Sequence, residues 1–151
     1  MEKFKVIPHW SLRGVTPVRG KEVEVYYHGT LREYHDKVVE TFGKYQPTDT
    51  STSAYINLTK SWPKAMSWSR IRKDEHGNQN TPTLLIISPE KAKRVLVPNT
   101  GSRPYAFFLD KDMYKPLDIE LIETPEGEIR TAPGWTTKLE NIIIDLLGLK
   151  F

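Results

Sequence analysis

Val23, Val25 and Tyr27 alternate with Glu22, Glu24 and Tyr26, and this period of two predicts a half-buried strand. Leu31, Tyr34, Val38, Val39 and Phe42 then fall at helical spacing, and the run closes at Gly43, a natural C-terminal stop. Residues 46–53 are polar and rich in Ser and Thr, which predicts a loop leading to a short strand over 54–58. Ser61 is placed to cap a second helix, with Pro63 in its first turn and Trp62, Ala65, Met66 and Ser69 on one face. Residues 74–82, containing His76-Gly77-Asn78, read as a surface loop before the apolar run 83–87, a buried central strand. Strands are also predicted over 94–97 and 117–123, the latter followed by the turn Pro125-Glu126-Gly127, with Ile129 opening the returning arm. Thr137 and Glu140 have capping-box spacing ahead of an amphipathic helix carrying Leu139, Ile142, Ile143, Leu146 and Leu147, which Gly148 ends. The order strand, helix, strand, helix, then mostly strands predicts the α+β class.

The length of 151 residues suits one domain. Pro8, Gly14, Pro17 and Gly20 make residues 1–21 an expected irregular arm, with the domain over 22–151. Cysteine is absent, so thiolate metal sites, disulfides and a cysteine nucleophile are excluded, and a reducing compartment fits. With no signal-like start and no apolar stretch near the roughly 18 residues of a span, the expected location is cytoplasmic, away from membrane. Net charge is +3 and the pI near 9.0, but the charges are mixed. Arg70, Arg72 and Lys73 are followed at once by Asp74 and Glu75, the pattern of a solvated helix end. His9, His35 and His76 lack metal-ligand spacing, so no metal is expected, and there is no glycine-rich phosphate loop or Gly-x-Ser-x-Gly elbow.

The chemistry-bearing segment is His28-Gly29-Thr30, directly behind the first strand. The reading places His28 where the strand leaves the core, with Thr30 offering a hydroxyl beside it. Gly29 has no side chain, which lets a flat ligand approach its backbone N–H and C=O. Such a strand end suits an amide and a ribose. The same residues also have ordinary readings: His-Gly-Thr as a turn, His28 as a histidine closing a strand, and Tyr55 as a core aromatic. Likewise Glu120 can be a solvent-facing strand residue, and Trp62, Met66 and Trp68 belong more naturally to a core than to a ligand box.

Tyr26-Tyr27-His28-Gly29-Thr30, the helix behind it, the Tyr55-Ile56-Asn57 strand and the helix bearing Ala65 and Trp68 resemble the ADP-ribosyltransferase fold over roughly residues 23–70. The likeness is to the His-Tyr-Glu subgroup, which includes diphtheria toxin, the poly(ADP-ribose) polymerases and the small rifamycin ADP-ribosyltransferases. It implies a split β-sheet core with two or three flanking helices, and NAD as substrate. The implied activity is mono-ADP-ribosyl transfer to a protein, nucleic acid or small molecule with release of nicotinamide, in a monomeric phage or bacterial effector. By this resemblance His28 hydrogen-bonds the adenosine-side ribose, the Gly29 backbone pairs with the nicotinamide carboxamide, and Thr30 and Asn57 line the NAD site. Tyr55 stacks on the nicotinamide ring, and a carboxylate on a later strand stabilises the oxocarbenium ion as nicotinamide leaves. In Asp118-Ile119-Glu120 that carboxylate is Glu120, with Asp118 beside it on the same face and Glu123 as a rival.

The chain departs from the family pattern in two places: Asn57, not a tyrosine, stands two residues before Thr59, and the third motif is divided between Glu120 and Glu123. Ser51-Thr52-Ser53 matches a signature of the Arg-Ser-Glu subgroup, which has an arginine where this chain has His28, so these serines read as loop residues. Other readings are a non-catalytic nucleotide- or partner-binding member of the fold, an NAD-dependent RNA 2′-phosphotransferase, and a small interaction module using exposed aromatics. Acceptor recognition would fall to loops 44–53, 74–82 and 100–116.

Overall fold

In the computed structural model, which describes residues 16–48, 54–71, 81–97 and 104–151, the run Thr83 to Ile87 is apolar on both faces because it is covered on both. It belongs to β5 (Pro82–Ile87), the middle strand of a three-stranded antiparallel sheet flanked by β3 (Tyr26–Leu31) and β8 (Tyr114–Asp118). Leu84 and Ile86 face one layer, packing with Trp62, Ala65 and Met66 of α2 (Trp62–Ile71) and with Trp135, Leu139 and Ile143 of α4 (Trp135–Leu147). Leu85 and Ile87 face the other, with Val38 of α1 (Arg32–Phe42), Tyr45, and Ile56 and Ala106 of a second sheet. That sheet runs β4 (Ile56–Asn57), β7 (Tyr105–Ala106), β6 (Leu96–Val97), all antiparallel. Alternation along β5 therefore divides the interior into two cores.

The architecture is α+β, with antiparallel sheets and, among the described residues, four helices, the shortest being α3 (Pro89–Ala92). Gly43 ends α1 in the left-handed region at φ 75°, its N–H returning to the Val39 carbonyl. Lys64 N–H donates to the Ser61 hydroxyl at 3.3 Å, the N-terminal cap read from the sequence. Among the described residues no helix is long and apolar enough to cross a membrane.

Several elements differ from expectation. The segment read as an irregular arm contains β1 (Thr16–Val18), which pairs with β2 (Lys21–Val23) through a two-residue loop. Arg19 and Gly20 both have positive φ there, 48° and 83°, as the right-handed twist of a tight hairpin demands. The remainder of that arm, residues 1–15, lies outside the described residues. The strand expected over 117–123 is two strands: β8 ends at Asp118, the chain turns, and β9 (Leu121–Glu123) forms a separate hairpin with β10 (Ile129–Thr131). The Thr137/Glu140 capping box does not form, because α4 begins three residues earlier, with Gly134 at its N-cap. Trp135 sets that start: its ring is fully buried and its Nε1–H donates to the Asp118 carbonyl at 2.9 Å. β7 and the first residues of β8 occupy a stretch read as loop.

Candidate functional site

His28-Gly29-Thr30 does not stand at a strand end; all three residues lie inside β3. The opening beside them comes from a division between sheets. Tyr27 exchanges both backbone hydrogen bonds with Thr59, N–H to O at 2.7 Å and O from N–H at 3.0 Å. In antiparallel order the next partners along that edge would be Gly29 and Asn57, but Asn57 pairs instead with Tyr105 in the second sheet. The two strands thus fork after Tyr27, and His28 bridges the fork: its Nδ1–H donates to the Asn57 carbonyl at 2.7 Å. Because residue-to-residue alternation turns Gly29 the same way as Tyr27, the Gly29 N–H and C=O point into the fork and away from β5.

Gly29 is required for packing. A Cβ at this position would lie 1.9 Å from the Ala65 carbonyl oxygen, so only glycine lets α2 seat its backbone on β3. The missing side chain, expected to admit a ligand, instead admits α2, and the backbone edge of Gly29 is what faces the fork.

His28 and Thr30 share the opposite face of β3, both buried. Tyr45, in the turn after α1 and 2% exposed, places its hydroxyl against both: it donates to Thr30 Oγ1 at 3.0 Å and lies 3.3 Å from His28 Nε2. The Tyr45 ring stacks on His35 at 5.6 Å between centroids, and its backbone is pinned by a pair of hydrogen bonds with Leu109. His35 in turn bridges Asp36 Oδ1 at 2.9 Å and the Tyr114 hydroxyl at 2.6 Å. Burial foremost, with the Asp36 charge second, pushes the Tyr114 phenol up to about 12. Burial also raises the Tyr27 phenol, on the other face, where its hydroxyl meets Thr16 Oγ1 at 2.6 Å.

The carboxylates are arranged differently from expectation. Asp118 lies in one cross-strand row with Thr83 and Thr30, and its Oδ1 accepts from Arg32 Nε at 2.8 Å and from the Thr83 hydroxyl at 3.0 Å. It therefore shares a sheet face with His28. Glu120 lies beyond the end of β8, and its Oε1 accepts from Lys138 Nζ of α4 at 2.7 Å. The β8 residue in line with His28, through Leu85, is Pro116. Glu120 is four residues further along the chain, past the turn that ends β8 at Asp118. Glu123 is exposed in β9, opposite Ile129.

Tyr55 precedes β4, is 38% exposed and packs at a tilt against Tyr105 with ring centroids 4.4 Å apart. Its neighbour Ile56 enters the core, so Tyr55 lies on the outer face of the second sheet, where Tyr105 also touches the exposed Phe107. His28, Thr30, Gly29 and the Asn57 backbone thus come together at the fork, while Tyr55 and Glu120 stand elsewhere. Tyr45, Arg32 and His35 were not anticipated; Tyr45 sits in a polar turn with no periodic signal. Trp62, Met66 and Trp135 are core, and Ser51-Thr52-Ser53, His9 and His76 lie outside the described residues. Among the described residues no group of three or more His, Asp or Glu side chains is arranged to hold a metal ion.

No protein-family model matches the chain, and no curated protein matches it. Among solved structures, protein CC0527 from Caulobacter crescentus is similar at 16% identity with a TM-score of 0.46, covering 70% of this chain and 92% of that one.

Proposed function

We propose that the β3–β4 fork is a site for NAD, and that the chain is a nucleotide-binding member of the ADP-ribosyltransferase-like class. The observation that carries this reading is the Gly29 backbone edge. Its N–H and C=O are turned away from the β5 ladder into the gap that His28 spans. A strand edge with one donor and one acceptor complements the edge of a primary carboxamide that carries its carbonyl oxygen and the N–H syn to it.

Binding without turnover is the reading the carboxylates favour. Glu120 lies past the end of β8, and its carboxylate is engaged by Lys138 of α4. The second reading is mono-ADP-ribosyl transfer to a protein, nucleic acid or small molecule with release of nicotinamide, and a specific observation favours it: Asp118 presents a carboxylate on the same sheet face as His28. A negative charge there would stabilise the cationic sugar that forms as the glycosidic bond breaks.

Calorimetric titration with NAD tests the site itself. Incubation with nicotinamide-labelled NAD, with chromatography for free nicotinamide, separates the two readings. Binding with no release supports the first; release abolished by Asp118→Asn and retained by Glu120→Gln supports the second. Absence of NAD binding removes both.

A further inference from the structure

We infer that the outer face of the second sheet, β4-β7-β6, binds single-stranded nucleic acid, with bases stacked on Tyr55, Tyr105 and Phe107. This face is separate from the fork and does not rest on its reading as an NAD site. Alternation sorts the residues of the sheet. Ile56, Ala106 and Leu96 turn inward to the second core, so Tyr55, Asn57, Tyr105, Phe107 and Val97 turn outward. The three outward rings form one surface: Tyr105 lies in the middle, its centroid 4.4 Å from Tyr55 and 5.6 Å from Phe107, the latter edge-on. Their mutual contact holds the rings in place, and Phe107 still leaves 52% of its surface open. A ready-ordered aromatic surface loses little side-chain freedom when a flat ligand lands on it.

Two further observations select the ligand. Asn57 stands opposite Tyr105, and its side-chain amide has no hydrogen-bond partner among the described residues, so a donor and an acceptor lie open beside the rings. The edge of a base offers the matching pair. Charge is the second. None of the outward residues is acidic, and two cations stand at the Phe107 end of the sheet. Lys44 Nζ lies 4.4 Å from the ring centroid of Phe108, the next residue along β7's chain. The antiparallel register sets the start of β6 at that same end, and the exposed Arg94 precedes it by two residues. Neither cation forms an ion pair among the described residues; the next carboxylate along the chain is Asp110, beyond the buried Leu109. Open rings with cations at one end complement a strand whose bases are unpaired and whose backbone is anionic. A duplex keeps its base faces stacked, so it reaches the cations without using the rings.

Fluorescence anisotropy with a short labelled oligonucleotide of mixed sequence, as DNA and as RNA, and with the matching duplex, tests the inference. The single strand is expected to bind more tightly than the duplex. Phe107→Leu, which keeps an apolar side chain and removes the ring, is expected to weaken single-strand binding by on the order of tenfold, and Phe107→Trp to restore it. Arg94→Gln is expected to flatten the salt dependence of binding while the effect of the ring persists. No binding of a single strand, equal binding of the duplex, or wild-type affinity in Phe107→Leu overturns the inference. Self-association that Phe107→Leu abolishes, with no affinity for a single strand, assigns the face to a second copy of the chain and overturns it as well. Thermal melting confirms that the variants fold. Should they not, proton NMR of the wild type decides: stacked bases move the Tyr55 and Phe107 ring signals, and unmoved signals overturn the inference.

Discussion

His28 Nδ1 lies 2.7 Å from the carbonyl oxygen of Asn57, one residue past the point where β3 and the β4 segment last exchange backbone hydrogen bonds. An imidazole thus takes the place of a ladder bond, and a side chain joins two sheets that the backbone no longer joins. His28→Phe keeps much of the ring volume and removes that donor, leaving the Asn57 carbonyl without it. The expected loss is about 1–3 kcal/mol of stability, read from the urea midpoint, with faster amide exchange around Asn57 than around Leu85. An unchanged midpoint would mean that the contact is incidental.

Gly29→Ala is expected to be among the most damaging single changes in the chain. Its Cβ would meet backbone, the Ala65 carbonyl at 1.9 Å, and no flexible side chain is there to yield. A cost above about 3 kcal/mol follows from overpacking of this kind, seen as a large fall in Tm or failure to fold. Loss of ligand binding with a native melting curve would instead show that α2 moves aside readily.

Asp118 and Glu120 separate cleanly in stability. Asp118→Asn weakens a charge-assisted bond from Arg32 and perturbs the Thr83 hydroxyl, for an expected cost of about 1–2 kcal/mol. Glu120→Gln breaks an exposed pair with Lys138 and costs no more than about 1 kcal/mol. Parallel denaturation curves check the order; a larger effect at Glu120 reverses the assignment of roles.

Alkaline pH should unfold the protein through its buried phenols. Tyr114 titrates near 12 in the native chain and near the ordinary 10.0 when unfolded, so between those values the native state holds a proton that the unfolded state has lost. Stability from this group is complete below pH 10 and falls as pH rises toward 12. Tyr27, also raised by burial, adds to the same slope. Denaturation midpoints of wild type and Tyr114→Phe should differ in pH dependence only above pH 10, with the variant the flatter; parallel curves there would exclude the assignment.

Elements whose own residues determine them were legible. The Gly43 stop of α1, the Ser61 cap of α2, the apolar β5 and the Gly148 stop of α4 each follow from local pattern, and each is observed. The start of α4 was misread because the capping-box pair is a local signal, while Trp135 is fixed by a partner 17 residues away, Asp118. The importance of Gly29 was visible but its cause was not, since α2 arrives from 36 positions later at Ala65. Tyr45 escaped notice for the same reason: its neighbours in sequence are polar, and its partners His28, Thr30 and Leu109 are assembled only by the fold.

The Trp62 and Trp135 rings sit 5.4 Å apart, one on α2 and the other on α4, with Trp135 anchored to the backbone of β8. Two indoles at that separation couple their electronic transitions, so the chain carries a built-in optical gauge. An exciton couplet in its ultraviolet circular dichroism would register whether both helices remain seated on the sheet, with no dye attached and no residue changed.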